Sequence, residues 1–345
     1  MGPDPAVAAV RLGVRRSLAG LAGDPGRTGS ALVLAACSGG PDSLALAAAL
    51  AFEAPRLGLR AGSVTVDHGL QAGSAGLAAE VAATLRGLGL EPVACLRAEV
   101  TARGDAGPYP GPEAAARQAR YAVIEAAAVE YGASAVLLGH TVDDQAETVL
   151  LGLARGSGAR SLAGMRATSG RYLRPLLGLR RAQTKAACAA QGLEPWDDPQ
   201  NADPAFARAR VRLQLLPLME ELLGPGITES LARTADQLRT DADALDELAS
   251  EAAERLTSAD GALAVTGLAA LPAAIRTRLL KRAAIAAGAP AGSLSAAHVA
   301  QLDALVTAWH GQRWSDLPGG IRCVRRYGRL QFTQGTLNGD RGGRH

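Results

Sequence analysis

Ser38, Gly39, Gly40, Pro41, Asp42 and Ser43 stand between the apolar run 31–36 and the alanine-rich, helix-forming stretch 44–51. A strand, a glycine pair and a helix start make a unit suited to phosphate. The glycines turn tightly and let backbone approach a ligand, and the helix N-terminus presents free N–H groups and the positive end of its dipole. Ser38 and Ser43 add hydroxyls. Asp42 is the informative member, because a carboxylate beside phosphate needs a cation between them, such as Mg²⁺. The combination implies a nucleotide with Mg²⁺, and so chemistry. A Walker-type loop would carry a lysine directly after its second glycine. None is near in sequence, since the chain's lysines are Lys185 and Lys281.

Gly139, His140, Thr141, Val142, Asp143, Asp144, Gln145, Ala146, Glu147 and Thr148 form a second such segment. Asp143 and Glu147 lie four apart at a predicted helix start, as do Asp144 and Thr148. Carboxylates, a histidine and hydroxyls here could ligate Mg²⁺, receive an ammonium group or move protons. A helix cap explains one Asp, but not the whole set. Glu113, Arg117, Arg120 and Tyr121 fall nearly on one helical face, which by itself suits a surface ion pair. Arg155–Gly158 reads as a cationic loop. Asp197–Asn201 precedes Arg208, Arg210 and Arg212, whose spacing of two and four keeps them off one common helical face. They suit phosphates or plain solvation.

These segments need a frame. Strands near 31–36, 62–67, 92–97 and 135–139 alternate with helices near 42–52, 74–88, 113–131 and 143–154, after an amphipathic helix at 5–22. This predicts an α/β fold with a doubly wound, mainly parallel sheet. The 38–43 loop, Asp67-His68 and 139–144 all sit at strand carboxyl ends, where such sheets bind ligands. The Gly104–Pro112 stretch predicts a loop. Beyond Gly224-Pro225-Gly226 come helices near 227–257, 272–287 and 295–309, then strands near 313–317, 321–326 and 329–333. We expect a catalytic domain over 1–222, a mostly helical domain with a short antiparallel sheet over 223–336, and a disordered tail over 337–345.

At 345 residues the chain has room for about two domains. Its net charge of +3 excludes a uniformly basic nucleic-acid binder. Arginines nevertheless crowd locally, at 208–212 and at Arg322, Arg325, Arg326, Arg329, Arg341 and Arg344 against Asp340 alone, a pattern that suits a polyanion partner or a solvated surface equally. Cys37, Cys95, Cys188 and Cys323 are scattered, which speaks against a zinc ribbon, an iron–sulfur site or a disulfide framework. No apolar run reaches membrane-spanning length and no signal peptide is evident, so a cytoplasmic location is expected.

Ser38–Ser43 resembles the phosphate loop of the PP-loop (N-type) ATP pyrophosphatases. Val66–Leu70, Glu113 with Arg117, Arg120 and Tyr121, His140–Thr148, Arg155–Gly158 with Leu162–Met165, Arg174–Leu177, and Asp198–Asn201 with the arginines narrow this. Together they are similar to the tRNA(Ile)-lysidine synthetase family over about 30–217, and less specifically over 268–335, mainly at Leu317–Gly320. The chain resembles the short form with one C-terminal domain, and its 104–112 loop is longer and richer in proline than usual.

The resemblance implies ATP-dependent attachment of free L-lysine to carbon 2 of the wobble cytidine in the CAU anticodon of tRNA(Ile), through an adenylated cytidine. It implies ATP binding by Ser38, Gly39, Gly40, Pro41, Asp42, Ser43, Asp67, His68, Gly139 and His140. Mg²⁺ would be held by Asp42 and Asp143, and lysine by Asp143, Asp144 and Glu147. Asp42, these carboxylates, Arg117 and Arg208 would be catalytic, with Arg117 and Arg208 stabilising phosphate charge. The tRNA would meet Arg155, Arg208, Arg210, Arg212, Arg325 and Arg326. A homodimer is compatible with this reading. Among rivals, a tRNA thiolase would need paired cysteines and an amidating synthetase a glutaminase domain. A nucleotide sensor on the same fold would have no use for Asp42 together with the 140–148 set.

Overall fold

The computed structural model describes residues 2–21, 30–67, 74–98, 112–156, 158–198 and 202–335, without the side chains of 112–116. Helix α1 (Pro5–Leu18) is followed by β1 (Leu32–Ala36), α2 (Pro41–Arg56), β2 (Arg60–Asp67), α3 (Ser74–Gly87), β3 (Val93–Arg97), α4 (Pro112–Glu130), β4 (Ala135–Leu138) and α5 (Val142–Ala154). This is the predicted alternation. β1 is buried along almost its whole length, and α2 buries Leu44, Leu46 and Leu50 against it. Such burial on both faces is what a parallel sheet covered by helices demands. Val7, Val10, Val14 and Leu18 of α1 join the same core.

The sheet order is β3-β2-β1-β4-β6-β5, parallel except for β5. Its last two strands, β5 (Thr168–Ser169) and β6 (Tyr172–Leu173), follow the short α6 (Ala159–Leu162) and lie outside the sequence expectation. Ala36 is in register with both Val64 and Leu138. The segments leaving β1 and β4 therefore emerge side by side.

Helices α7 (Arg181–Ala189), α8 (Ala207–Arg210), a π-helical turn (Val211–Leu215) and α9 (Leu216–Leu223) complete this part. The chain divides into two compact units between Gln237 and Leu238, inside α10 (Ile227–Leu256). The sequence placed the break at the Gly224–Gly226 turn. The start of α10 stays with the first unit because Glu220 accepts hydrogen bonds from the backbone of Gly226 and Thr228, at 2.7 and 3.1 Å.

The second unit adds β7 (Leu263–Ala264), α11 (Val265–Ala269), α12 (Ala273–Ala286), α13 (Ala296–Thr307), β8 (Trp314–Leu317), β9 (Ile321–Arg326) and β10 (Arg329–Gln334). Its antiparallel sheet runs β7-β10-β9-β8, around a core of Leu263, Leu279, Leu302, Cys323 and Leu330. The expected 104–112 loop and 337–345 tail lie outside the described residues, apart from Pro112 at the head of α4.

Candidate active site

The 38–43 loop joins β1 to α2. Ser43 organises it: its hydroxyl donates to the Gly40 carbonyl at 2.9 Å and accepts from the Ser38 N–H at 3.2 Å. Gly39 has φ +86°, and a Cβ there would lie 2.6 Å from Val81 Cγ2. Gly40 caps α2 without any side-chain hydrogen bond, so the helix start stays open to a ligand. Gly139, leaving β4, brings its backbone against this loop. A Cβ on it would lie 3.0 Å from the backbone of Asp42 and Ser43.

Asp42 is held from α7. Thr184 donates its hydroxyl to Asp42 Oδ1, and Arg181 Nε stands 3.1 Å from Oδ2. The same guanidinium reaches Asp144 Oδ1 at 2.8 Å and Glu147 Oε1 at 3.5 Å. Arg212, from the π-helical turn, grips Glu147 through Nε at 2.6 Å and Nη2 at 3.0 Å, and Arg208 Nη1 lies 4.0 Å from Glu147 Oε2. Glu147 is fully buried under these arginines. The other oxygen of Asp144 accepts from the N–H and hydroxyl of Thr141, at 2.7 and 2.9 Å, closing a capping box on α5.

Asp42 and Asp144 share one guanidinium yet shift in opposite directions. Burial, helped by the charge of Asp144, raises the Asp42 carboxyl above its ordinary value despite Arg181 and Thr184. Burial also works on Asp144, but Arg181, the Thr141 N–H, His140 and Arg212 outweigh it and hold that carboxyl low. Asp144 is thus firmly ionised, while Asp42 is the carboxylate that a further cation would stabilise.

Both line a cavity of about 560 Å³. Ser38, Gly40, Pro41 and Ser43 contribute to it, with Gly139 and His140 from the neighbouring segment and Arg120 and Tyr121 from α4. Val64, Val66, Ile124 and Leu138 supply an apolar wall. Burial lowers the His140 pKa to about 4, with Arg174, Arg117 and Arg120 adding to the drop against the pull of Asp144. Its Nδ1 is buried without a hydrogen-bond partner among the described residues, as are Nε of Arg174 and Nε of Arg208. Arg120 is likewise pushed down by burial and by its neighbours Arg117 and Arg208. A neutral imidazole among gathered arginines makes a receptor for anionic groups.

The structure therefore brings together the 38–43 loop, Gly139, His140, Asp144, Glu147 and Arg208. Arg117 packs over the Tyr121 ring, 5.1 Å from its centroid, and Asp67 ends β2. His68 lies outside the described residues. Asp143 departs from expectation: it accepts from the Arg181 backbone N–H at 2.8 Å and sits 3.7 Å from Arg180 Nε. It caps α7 instead of lining the cavity. Arg212, expected to face RNA, turns inward to Glu147. Arg210 is exposed and donates to the carbonyls of Pro204 and Ala205, at 2.6 and 2.9 Å. Arg155 is exposed at the end of α5. In the second unit, Arg326 is exposed on β9, whereas Arg325 donates to the Leu305 carbonyl and stacks 4.5 Å from the Trp309 ring centroid.

Arg181, Thr184 and Lys185 were missed as site residues. They share one face of α7 at spacings of three and four, a relation that shows only once the segment is known to be a helix.

Residues 13–219 match the PP-loop domain family, and residues 263–331 match the TilS substrate binding domain. The tRNA(Ile)-lysidine synthase of Thermobifida fusca is 60% identical over 329 residues, covering 95% of this chain and 98% of that protein. The enzyme of the same name from Streptomyces coelicolor is 54% identical over 358 residues, covering 97% and 100%. The solved U34-tRNA thiolase NcsA from Methanococcus maripaludis, with its [4Fe-4S] cluster, superposes with a TM-score of 0.54 at 17% identity, over 68% of this chain and 79% of its own. That likeness is one of fold. Identity sustained from end to end, through both matched domains, makes this chain a member of the tRNA(Ile)-lysidine synthase family.

Proposed function

We propose that this chain joins free L-lysine to carbon 2 of the wobble cytidine in the CAU anticodon of tRNA(Ile), using ATP. The observation that carries the reading is one cavity holding both an open phosphate loop and a carboxylate–arginine cluster, Asp144 with Arg181 and Arg212, which Glu147 braces from beneath. The loop suits ATP phosphates, and the wall of Val64, Val66, Ile124 and Leu138 suits its purine.

Cytidine O2 attacks the α-phosphorus, the α–β phosphoanhydride bond breaks, and pyrophosphate leaves. The ε-amine of lysine then attacks carbon 2, the C2–O2 bond breaks, and AMP departs with the oxygen. Arg117, Arg120 and Arg208 stabilise charge that builds on phosphate oxygens. Asp144, held ionised by Arg181 and the Thr141 N–H, receives the ammonium end of lysine, and Glu147 braces Arg181 and Arg212 behind it. The amine must then shed its proton before attack, because free lysine has a pKa of about 10.4.

Asp42 and Asp144 present hard oxygen donors to the cavity, and Asp42 is the carboxylate short of positive charge. They fit Mg²⁺, which characteristically takes one or two carboxylates and completes its shell with phosphate and water. When bound there it would neutralise charge on the leaving pyrophosphate. Asp143, engaged with α7, is the poorer ligand.

The second unit would hold the tRNA body, with exposed Arg326 among its contacts. Among the described residues no helix is long and apolar enough to cross a membrane, and we place the reaction in the cytoplasm. The test supplies ATP, Mg²⁺, radiolabelled lysine and a tRNA(Ile) transcript with a CAU anticodon. Label should enter that RNA and not a transcript with a GAU anticodon. Label in neither removes the proposal.

A further inference from the structure

The 38–43 loop lacks the lysine that other phosphate loops place beside their outer phosphates. In the fold a lysine reaches the same cavity from another element. Lys185 lies one turn after Arg181 on α7 and lines the cavity with Ser38, Asp42 and Ser43. The helix is fixed against the loop on either side of it. Thr184 donates to Asp42 Oδ1, and Cys188 Sγ stands 3.4 Å from the Pro41 carbonyl. Lys185 is thereby held where the loop opens.

Among the described residues, the cations lining this cavity are Arg120, Arg181, Lys185 and Arg212. Arg181 is engaged by Asp42, Asp144 and Glu147, and Arg212 by Glu147 and Asp144. Arg120 stands with Arg117 beside Tyr121, away from the loop in the chain and on a different helix. Lys185 is exposed to the cavity, and its side chain makes no hydrogen bond or ion pair with another described residue. The chain holds 36 basic residues, and Lys185 and Lys281 are its lysines. A compact, mobile ammonium therefore stands in the cavity, where the chain elsewhere uses rigid guanidinium forks.

We infer that Lys185 binds the β- and γ-phosphates of ATP, the part released as pyrophosphate, and so supplies from α7 the lysine that the loop lacks. This rests on the reading of the cavity as an ATP site. Arg181 neutralises the carboxylates of the wall and leaves Lys185 for the phosphates. The contact ends at the pyrophosphate, so it discriminates ATP from AMP and helps the product AMP to leave.

The test compares wild type with Lys185→Ala, Lys185→Gln and Lys185→Arg by isothermal titration with ATP, inorganic pyrophosphate and AMP, in Mg²⁺ buffer. Charge-assisted contacts of this kind change affinity by about tenfold or more. Lys185→Ala and Lys185→Gln should weaken ATP and pyrophosphate by that factor and leave AMP unchanged. Lys185→Arg should recover part of the loss. Unchanged ATP affinity in both neutral variants overturns the inference, as does a parallel fall for ATP and AMP, which would mark a structural role. Wild type that binds no ATP would overturn the proposed function together with it, so the two failures are told apart by the wild-type titration.

Discussion

Arg181 Nε lies 3.1 Å from Asp42 Oδ2, and this ion pair closes a separation of 139 residues. It ties the phosphate loop to the carboxylates of α5, because the same guanidinium also holds Asp144 and Glu147. Burial would lower the Arg181 pKa, but the three carboxylates outweigh it and raise the value.

Arg181→Ala should therefore destabilise the first unit by about 3 kcal/mol, the usual range for stripping one partner from a buried ion pair. Arg181→Lys should restore part of this, since an ammonium cannot span several carboxylates as a planar fork does. Urea denaturation reads both. A loss below about 0.5 kcal/mol in the alanine variant, the scale of an ordinary surface change, would show that the junction does not carry the fold.

Asp42→Asn keeps the shape of the side chain and removes its charge. Pyrophosphate release should fall by about 100-fold or more, with tRNA binding close to wild type in a filter-binding assay. Equal loss of both would assign Asp42 a folding role instead.

The two loop glycines should respond differently to alanine. Gly39 has φ +86° and an occupied Cβ position, 2.6 Å from Val81 Cγ2. Gly39→Ala should cost about 1–3 kcal/mol, seen as a lowered thermal midpoint. Gly40 has φ −71° and its nearest neighbour would be 3.7 Å away, so Gly40→Ala should melt like wild type. Equal behaviour of the two would refute the strained turn.

His140 should remain neutral until about pH 4, against an ordinary value of 6.5. Between those limits the unfolded chain binds a proton that the folded chain refuses, so this residue lowers stability as pH falls through the window. The imidazole NMR signal that vanishes in His140→Gln should show no titration from pH 8 to 5. A midpoint near 6.5 would contradict the buried, arginine-flanked setting.

Strands β1 to β4 were legible because they are aliphatic runs and their helices carry apolar stripes, whereas β5 and β6, two residues each, are too short to carry a pattern. Helix α7 was not legible either. Its sequence Arg-Ala-Gln-Thr-Lys-Ala-Ala-Cys-Ala offers a narrow apolar face, chiefly Thr184, Ala187 and Cys188, and its polar partners lie far off in sequence. Asp143 parts from Asp144 and Glu147 for a geometric reason. Successive helix residues point about 100° apart, so Asp144 faces the cavity while Asp143 meets the N-terminus of α7. Arg212 read as a free cation because sequence cannot show that Glu147, 65 residues earlier, is buried beneath it.

In the proposed order of events, ATP activates the cytidine before lysine arrives. The most direct measurement omits lysine: the protein, Mg²⁺, α-labelled ATP and the CAU-anticodon transcript are mixed, quenched, and the RNA is digested and analysed by mass spectrometry. AMP should be found on the wobble cytidine with pyrophosphate released, and later addition of lysine should replace that AMP with lysine. If no AMP joins the RNA, and label instead appears on lysine whenever lysine is present, then lysine and not cytidine is the group that ATP activates, and the proposed order is wrong.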